Sequence, residues 1–446
     1  MTFDALSSEA YHADLLGALK KYDPDIYKLI KREYHRLQNS IQLLAAENLC
    51  SRSVLAALGS ILQNKTSEGF PAARLHGGSG IVDEVESTAI ERAKEVFRAK
   101  YANVQPHSGT TANQIVITAL LERGDKILSM ATSHGGHFSH GSIDSLTAKF
   151  FEIESYRVDR ETFLLDYDQI RKQARQFRPK LIICGASAYP RIIDFGKFRQ
   201  IADEVGAILL ADISHLSALV MGGAHPSPID YAHVTTASTY KPGGPRGGLI
   251  LAGRDYDMKI KVAGKEAVLW RQIEKTTFPG LQGTPYFNNI AAKAVFFKEA
   301  GSKEYKARQL KVAENAKWLA GALAKKGYNL LTGGTDNHML IINVSGISEG
   351  LSSPAAQKCL EQCGIVVDKM PLPYDDKPAM TGIRLGTPIV TKNGMGAAEM
   401  DRLSDLIDGV LKNIKPAGQT ERTIEQVIAE NIRNKTKELA ARFPIR

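Results

Sequence analysis

YANVQPHSGTTANQIVITALLERGDKILSM, residues 101–130, decides the architecture. A short apolar run ends at Pro106, and a Ser-Gly-Thr-Thr cluster opens a helical stretch over GTTANQIVITALLERG. A second apolar run, DKILSM, follows. Strand, helix and strand in this order make a crossover unit of a mainly parallel sheet. The rhythm continues with FFEIESY (150–156), the helix DYDQIRKQARQF (166–177), the strand KLIICGAS (180–187), the helix KFRQIADEVG (197–206) and the strand AILLADIS (207–214). Continuous apolar runs of four to six residues belong to strands covered on both faces. The class is α/β.

Ligands in such sheets lie beyond the carboxyl ends of the strands. Those ends carry Ser108, His137, Ser187, Asp212, His215 and Lys241. HSGTTAN (107–113) starts a helix after a strand. Its free N–H groups, hydroxyls and helix dipole suit a phosphate, although Ser108 or Thr110 could be a plain N-cap. Asp212 closes an apolar strand and needs a cationic partner, which a protonated pyridine nitrogen or an arginine would supply. HGGHFSH (134–140) spaces three histidines by three. A metal site is one reading, but no carboxylate accompanies them in sequence and the glycines oppose a helix. A flat ring stacked on an aromatic cofactor is the other, and suits His137.

TTASTYKPGGPRGGLIL (235–251) places Lys241 in a glycine-dense turn between two apolar runs. A desolvated amine beside Arg246 has a lowered pKa and forms a Schiff base readily, whereas a basic Gly/Pro turn by itself carries no chemistry. Arg384, in TGIRLGTP (381–388), begins a strand and suits either a substrate carboxylate or a surface acid. Phosphate cup, strand-end aspartate, turn lysine and downstream arginine form one set, that of pyridoxal 5'-phosphate.

The remaining chain is divided as a helical arm (1–45), a large α/β domain (46–300) and a smaller C-terminal α+β domain (301–446). Residues 46–80 read as irregular, 253–277 as a long charged segment, and IVVDKM and IRLGTPIVT as strands. A length of 446 residues, 43% hydrophobic and 24% charged, is that of an ordinary globular enzyme. The net charge of +9 is spread along the chain rather than concentrated, which argues against nucleic acid and suits anionic small ligands. No apolar run is long enough for a membrane, and no secretory signal opens the chain. Scattered Cys50, Cys184, Cys359 and Cys363 fit a reducing cytoplasm and no zinc site.

The chain resembles the serine hydroxymethyltransferase family over nearly its full length. LLAAENLCS, SEGFP, YANVQPHSGTTAN, SHGGHFSHGS, ADISHLSALV, GPRGGLIL, TFPGLQG, GGTDNH and GIRLGTP carry the likeness, in one order. The resemblance implies a fold-type I architecture with a seven-stranded sheet. It also implies a homodimer, or a pair of dimers, with active sites shared across the interface. Lys241 would be the Schiff-base lysine, Asp212 the partner of the pyridine nitrogen, and His137 the stacking ring. Ser187 and His215 would lie near the 3-hydroxyl. Ser108, Gly109 and Thr110 would hold the phosphate with Gly283 of the other subunit, and Arg384 and Tyr240 would meet the amino acid. Glu68, from the other subunit, would manage protons at the substrate hydroxyl, with His76 beside it.

Departures from the family gather at the site. Thr66 and His76 replace tyrosines, Ala46 a serine, and Tyr240 a histidine. The turn after Lys241 is one residue shorter. At the folate-facing positions, Leu75 stands for a tyrosine, Met370 for the asparagine that reads the pteridine ring, and Thr132 and Phe138 for leucines. Segment 253–277 is longer than usual, which would reshape the entrance. The expectation is an aldolase or transaldolase acting on the Cα–Cβ bond of a β-hydroxy amino acid without folate. An ordinary tetrahydrofolate-dependent hydroxymethyltransferase is the second reading. Side-chain substitution, decarboxylation or oxidation with the same cofactor is the third.

Overall fold

The opening crossover unit forms a strand, β1 (Tyr101–Asn103), a helix (Gly109–Leu120) and β2 (Lys126–Met130) in a computed structural model that describes residues 12–348, 351–375, 380–416 and 422–445. Five more strands complete the sheet: β3 (Glu152–Tyr156), β4 (Leu181–Cys184), β5 (Ile208–Asp212), β6 (Val234–Ser238) and β7 (Gly248–Ala252). Their order is β1-β7-β6-β5-β4-β2-β3. Only β7 runs against its neighbours, so the sheet is mostly parallel and six strands end at one edge. β4, β6 and β7 are buried along their whole length, as continuous apolar runs require. Pairing of Asp212 with Thr236 and of Ser238 with Gly248 brings the Asp212 and Lys241 loops side by side.

A second apolar core holds a four-stranded antiparallel sheet: β8 (Asn329–Leu330), β9 (Met339–Asn343), β10 (Asp368–Met370) and β11 (Gly382–Gly386), in the order β8-β9-β11-β10. Two elements cross the boundaries expected from sequence. Ile41 and Leu43 of the arm are buried in this second core, and Ile41–Gln42 pairs in parallel with Ile365–Val366. The helix Lys303–Lys325 gives Tyr305 and Val312 to the first core and Leu319 and Leu323 to the second. The two units also meet through the loop after β4. Asn337 Nδ2 donates to the Tyr189 carbonyl at 2.9 Å, and Arg191 pairs with Asp336 at 3.1 Å.

Several local expectations are corrected. Residues 46–80 are not irregular throughout: Ser51 caps a helix over Arg52–Leu58, and Gly69–Phe70 pairs with Ala73–Arg74 in a tight hairpin. IVVDKM is two short strands, because Ile365–Val366 serves the arm and Asp368–Met370 serves β11. IRLGTPIVT turns into a helix (Pro388–Lys392) after β11, with Pro388 at its first turn, where a missing N–H costs nothing. The charged segment folds as a hairpin, Lys259–Val262 with Lys265–Val268, followed by a helix, Leu269–Lys275. Ala263 of that hairpin donates its N–H to Glu122, beyond the far end of the helix that begins at Gly109. The hairpin therefore sits away from the strand-end loops of its own chain, whereas Thr277, at the end of the segment, accepts from Asn103 at the carboxyl end of β1 at 2.9 Å.

The arm forms amphipathic helices over Leu15–Tyr22 and Pro24–Gln38, the second opened by an Asp23 cap and Pro24. Residues 1–11 of the expected arm lie outside the described residues.

Candidate active site

Ser108, beyond β1, is the N-cap of the helix Gly109–Leu120: its hydroxyl accepts from Thr111 N–H at 3.0 Å. The first N–H groups of a helix have no carbonyl partner within it and carry the positive end of its dipole. Gly109 lies in a tight cradle, where an added Cβ would stand 3.1 Å from Ser214 Oγ and 3.3 Å from Ser238 Cβ. The plain-cap and anion-site readings thus coexist in one segment, since Ser108 caps while the backbone at Gly109 lies close to Ser214 and Ser238 and Thr110 is exposed.

Asp212 ends β5 and is buried with three donors. Asn113 Nδ2 reaches Oδ2 at 2.8 Å, His140 Nε2 lies 2.9 Å from the same oxygen, and Ser214 N–H reaches Oδ1 at 2.9 Å. Burial by itself would raise the carboxyl's pKa, but the His140 contact, the nearby His137 and the Asn113 bond outweigh it and hold Asp212 far below the usual range. Asn113 is itself fixed, because its Oδ1 accepts from Thr236 at 2.6 Å. Among the described residues no arginine pairs with Asp212; His140 and the Asn113 amide occupy that place. The histidine loop is corrected too. No carboxylate neighbours it in sequence, yet Asp212 joins His137 and His140 in a cluster whose ligand atoms lie within 4.8 Å of one another.

His137 is half-buried, its Nδ1 2.8 Å from Ser139 Oγ. Burial pushes its pKa down to about 4, so the ring is neutral at physiological pH. His215 is buried and stacked on His338 at 5.8 Å between centroids, and desolvation keeps it neutral as well. His215 Nδ1 has no hydrogen-bond partner among the described residues. An orphaned polar atom buried beside the strand ends calls for a ligand group or water.

Lys241 occupies the loop between β6 and β7, with its ammonium 5.5 Å from the Tyr240 ring, on which Arg246 also packs at 4.4 Å. Desolvation, helped by the charges of Arg384 and Arg246 against that of Asp212, lowers its pKa to about 8. A lowered amine pKa means that the nucleophilic neutral form dominates above it. Capture of pyridoxal phosphate by the apoprotein is therefore expected to quicken roughly tenfold per pH unit up to about pH 8 and then level off. A stopped-flow absorbance profile that keeps climbing to pH 10 would contradict this placing of the amine.

Arg384 lies within β11, not at its start. Its Nε and Nη2 meet Asp368 at 3.1 and 2.7 Å, and its Nη1 donates to the Ser187 carbonyl. Ser187 is anchored in turn by its N–H to the Gly135 carbonyl at 2.7 Å. The structure thus gathers Ser108, Gly109, Thr110, His137, Ser187, Asp212, His215, Tyr240, Lys241 and Arg384 at one sheet edge.

Glu68, His76 and Gly283 form a second group. Glu68 N–H lies 3.3 Å from His76 Nδ1, and a Cβ on Gly283 would come within 3.1 Å of Glu68 Oε1. Their hairpin is pinned by Arg74, which donates to the Gly69 carbonyl at 2.6 Å and pairs with Glu86 at 2.5 Å and Asp83 at 2.8 Å. No hydrogen bond among the described residues joins this group to the first.

Sequence reading missed Asn113, His140, Thr236 and Asp368. The first two stood inside segments already singled out, HSGTTAN and HGGHFSH. Thr236 and Asp368 stood inside quoted segments too, TTASTYKPGGPRGGLIL and IVVDKM, but their partners lie 123 and 16 residues away, which no local pattern records.

The donor set fits pyridoxal phosphate: an anion cup with a glycine cradle, a strongly ionised buried carboxylate, neutral flat rings, an orphaned nitrogen and a low-pKa amine. A family model described as serine hydroxymethyltransferase matches residues 19–407.

Proposed function

The chain belongs to the serine hydroxymethyltransferase family, and from that premise we propose that this pyridoxal-phosphate-dependent transferase makes or breaks the Cα–Cβ bond of a β-hydroxy amino acid without tetrahydrofolate. One observation carries the folate-independent part. Met370, standing where the family reads a pteridine by hydrogen bonds, packs on an apolar cluster of Ala188, Leu331, Ile341 and Leu372. A thioether there leaves the ligand's polar edge unpaired, which costs about 1–3 kcal/mol for each buried polar group that loses its partner. Leu75 and Phe138, at two further folate-facing positions, are largely exposed and apolar.

Bound pyridoxal phosphate supplies the electron sink for the pair left on Cα when the bond to Cβ breaks. Lys241 would hold it covalently, and Asp212, kept ionised by His140 and Asn113, would stabilise a proton on the pyridine nitrogen. Gly109 and Thr110 would hold the phosphate, His137 would serve as the ring's flat neighbour, and Ser187 and His215 would supply polar contacts to it. Arg384 binds the α-carboxylate, with Tyr240 bordering the same space. Glu68, assisted by His76 and seated with Gly283 against the other subunit of a homodimer, takes the β-hydroxyl proton as the aldehyde leaves. The mostly parallel sheet and smaller antiparallel unit fit the fold-type I plan, and no described helix is long and apolar enough to cross a membrane.

The test is glycine formation from L-serine and L-threonine by the loaded protein, with and without tetrahydrofolate and with an added aldehyde. Folate is expected to change either rate by less than about twofold, and an aldehyde acceptor to sustain threonine turnover. Large stimulation by folate would restore the ordinary hydroxymethyltransferase. Glycine from neither substrate, with consumption of another amino acid, would point to substitution, decarboxylation or oxidation.

A further inference from the structure

We propose that Asp368 is a positioning residue for amino-acid binding: it holds the side edge of the Arg384 guanidinium so that only the end edge meets the substrate carboxylate. This rests on the reading of Arg384 as the carboxylate clamp.

A guanidinium has five N–H donors and two edges able to grip a carboxylate with two parallel bonds: Nε with Nη2, and Nη1 with Nη2. Asp368 Oδ2 takes Nε at 3.1 Å and Nη2 at 2.7 Å, which closes the side edge. The Ser187 carbonyl takes one donor of Nη1. One N–H on each of Nη1 and Nη2 is left, and the end edge, which joins these two nitrogens, is the edge that Asp368 does not occupy. Asp368 and Arg384 are direct partners in the β10–β11 ladder, so their side chains leave the same face of the sheet and the pairing is built into the register. Both side chains are mostly shielded, at 13% exposure for Arg384 and 27% for Asp368.

The charge balance needs this carboxylate. Lys241 feels the charge of Arg384 directly, and so do His215 and His338, which are held neutral. Arg246 adds a further positive charge near Lys241. Asp212 opposes these charges at Lys241, and Glu47, which senses both Asp368 and Arg246, is a further acid of this neighbourhood whose own pKa burial raises. Without Asp368 the guanidinium would keep one carbonyl partner, and its side edge would compete with its end edge for an incoming carboxylate. Asp368 also leaves room for a single carboxylate on Arg384, which fits a substrate presenting its α-carboxylate there and nothing acidic beside it.

The test uses two ligands that differ only by the carboxylate, L-serine and ethanolamine, titrated into the holoprotein and followed by the cofactor's absorbance. Asp368→Ala is expected to weaken L-serine by about tenfold or more. Ethanolamine binding, cofactor retention and melting temperature should change little. Asp368→Asn, which keeps an oxygen acceptor but no charge, should fall between. Equal weakening of both ligands would make Asp368 merely structural and overturn the proposal. Unchanged or tighter L-serine would overturn it as well, the latter making Asp368 a competitor for Arg384. Arg384→Ala serves as the reference: if it leaves the preference for L-serine over ethanolamine intact, the clamp itself is misplaced and Asp368 loses its role with it.

Discussion

Lys241→Arg is expected to cut turnover by about a thousandfold or more, equivalent to roughly 4 kcal/mol of barrier. It should also abolish borohydride-stable attachment of the cofactor. Arginine keeps the charge but stays protonated at any working pH, so the covalent step loses its nucleophile while the turn keeps its cation. The variant should fold, because the Lys241 ammonium has no salt bridge among the described residues and its nearest ring contact is Tyr240 at 5.5 Å. A competing lysine exists. Lys293 is buried and its pKa is lowered to about 7 by desolvation. Its ammonium, however, is spent on the carbonyls of Val104, Pro106 and Gly248, at 2.6, 3.2 and 2.9 Å. A low pKa without access makes no nucleophile. Peptide mapping after borohydride reduction decides the matter: a label on any lysine other than Lys241 would remove it from its role.

Asp212→Asn should lower turnover by about 10² to 10³ and loosen the cofactor. Loss of one preorganised electrostatic partner in a buried site has effects of that order. The size of the effect follows from the surroundings. Asp212 receives donors from Asn113, His140 and Ser214, and an amide at this place would turn an N–H₂ toward one of those donors or leave it unpaired. It would also lose the negative charge that, in the proposed site, would keep a proton on the pyridine nitrogen. A melting curve of the apoprotein separates the two contributions. Breaking a buried charged network costs about 3–5 kcal/mol in general, whereas the cofactor effect appears only in the loaded protein. Turnover within twofold of the parent would sink the assignment of Asp212.

Some of this was readable along the chain because it is local. The strand–helix–strand rhythm from 101 to 214 depends on apolar periodicity and on glycine and proline at the ends of runs, and each segment carries its own signal. The Ser108 cap, the turn around Lys241 and the histidine loop are likewise written in a few neighbouring residues. Short strands were harder. IVVDKM looked like one strand because no glycine or proline interrupts it, and only the presence of two pairing partners, Ile41–Gln42 and β11, splits it. IRLGTPIVT failed similarly, since β-branched residues after Pro388 suit a strand locally while packing in the second core favours a turn of helix.

The sequence by itself determined the α/β class, the sheet edge at which the chemistry gathers, and the residue types that a pyridine ring, a phosphate and an aldehyde carbon require. Only the tertiary structure decided how those residues act on one another. It set His140 and Asn113 on Asp212 across 72 and 99 residues, put Asp368 on the side edge of Arg384, and joined Glu68 to His76. The physical reason is register. Which side chains face each other across a sheet edge depends on strand pairing and loop closure, which are sums of many distant contacts that no single stretch of sequence records.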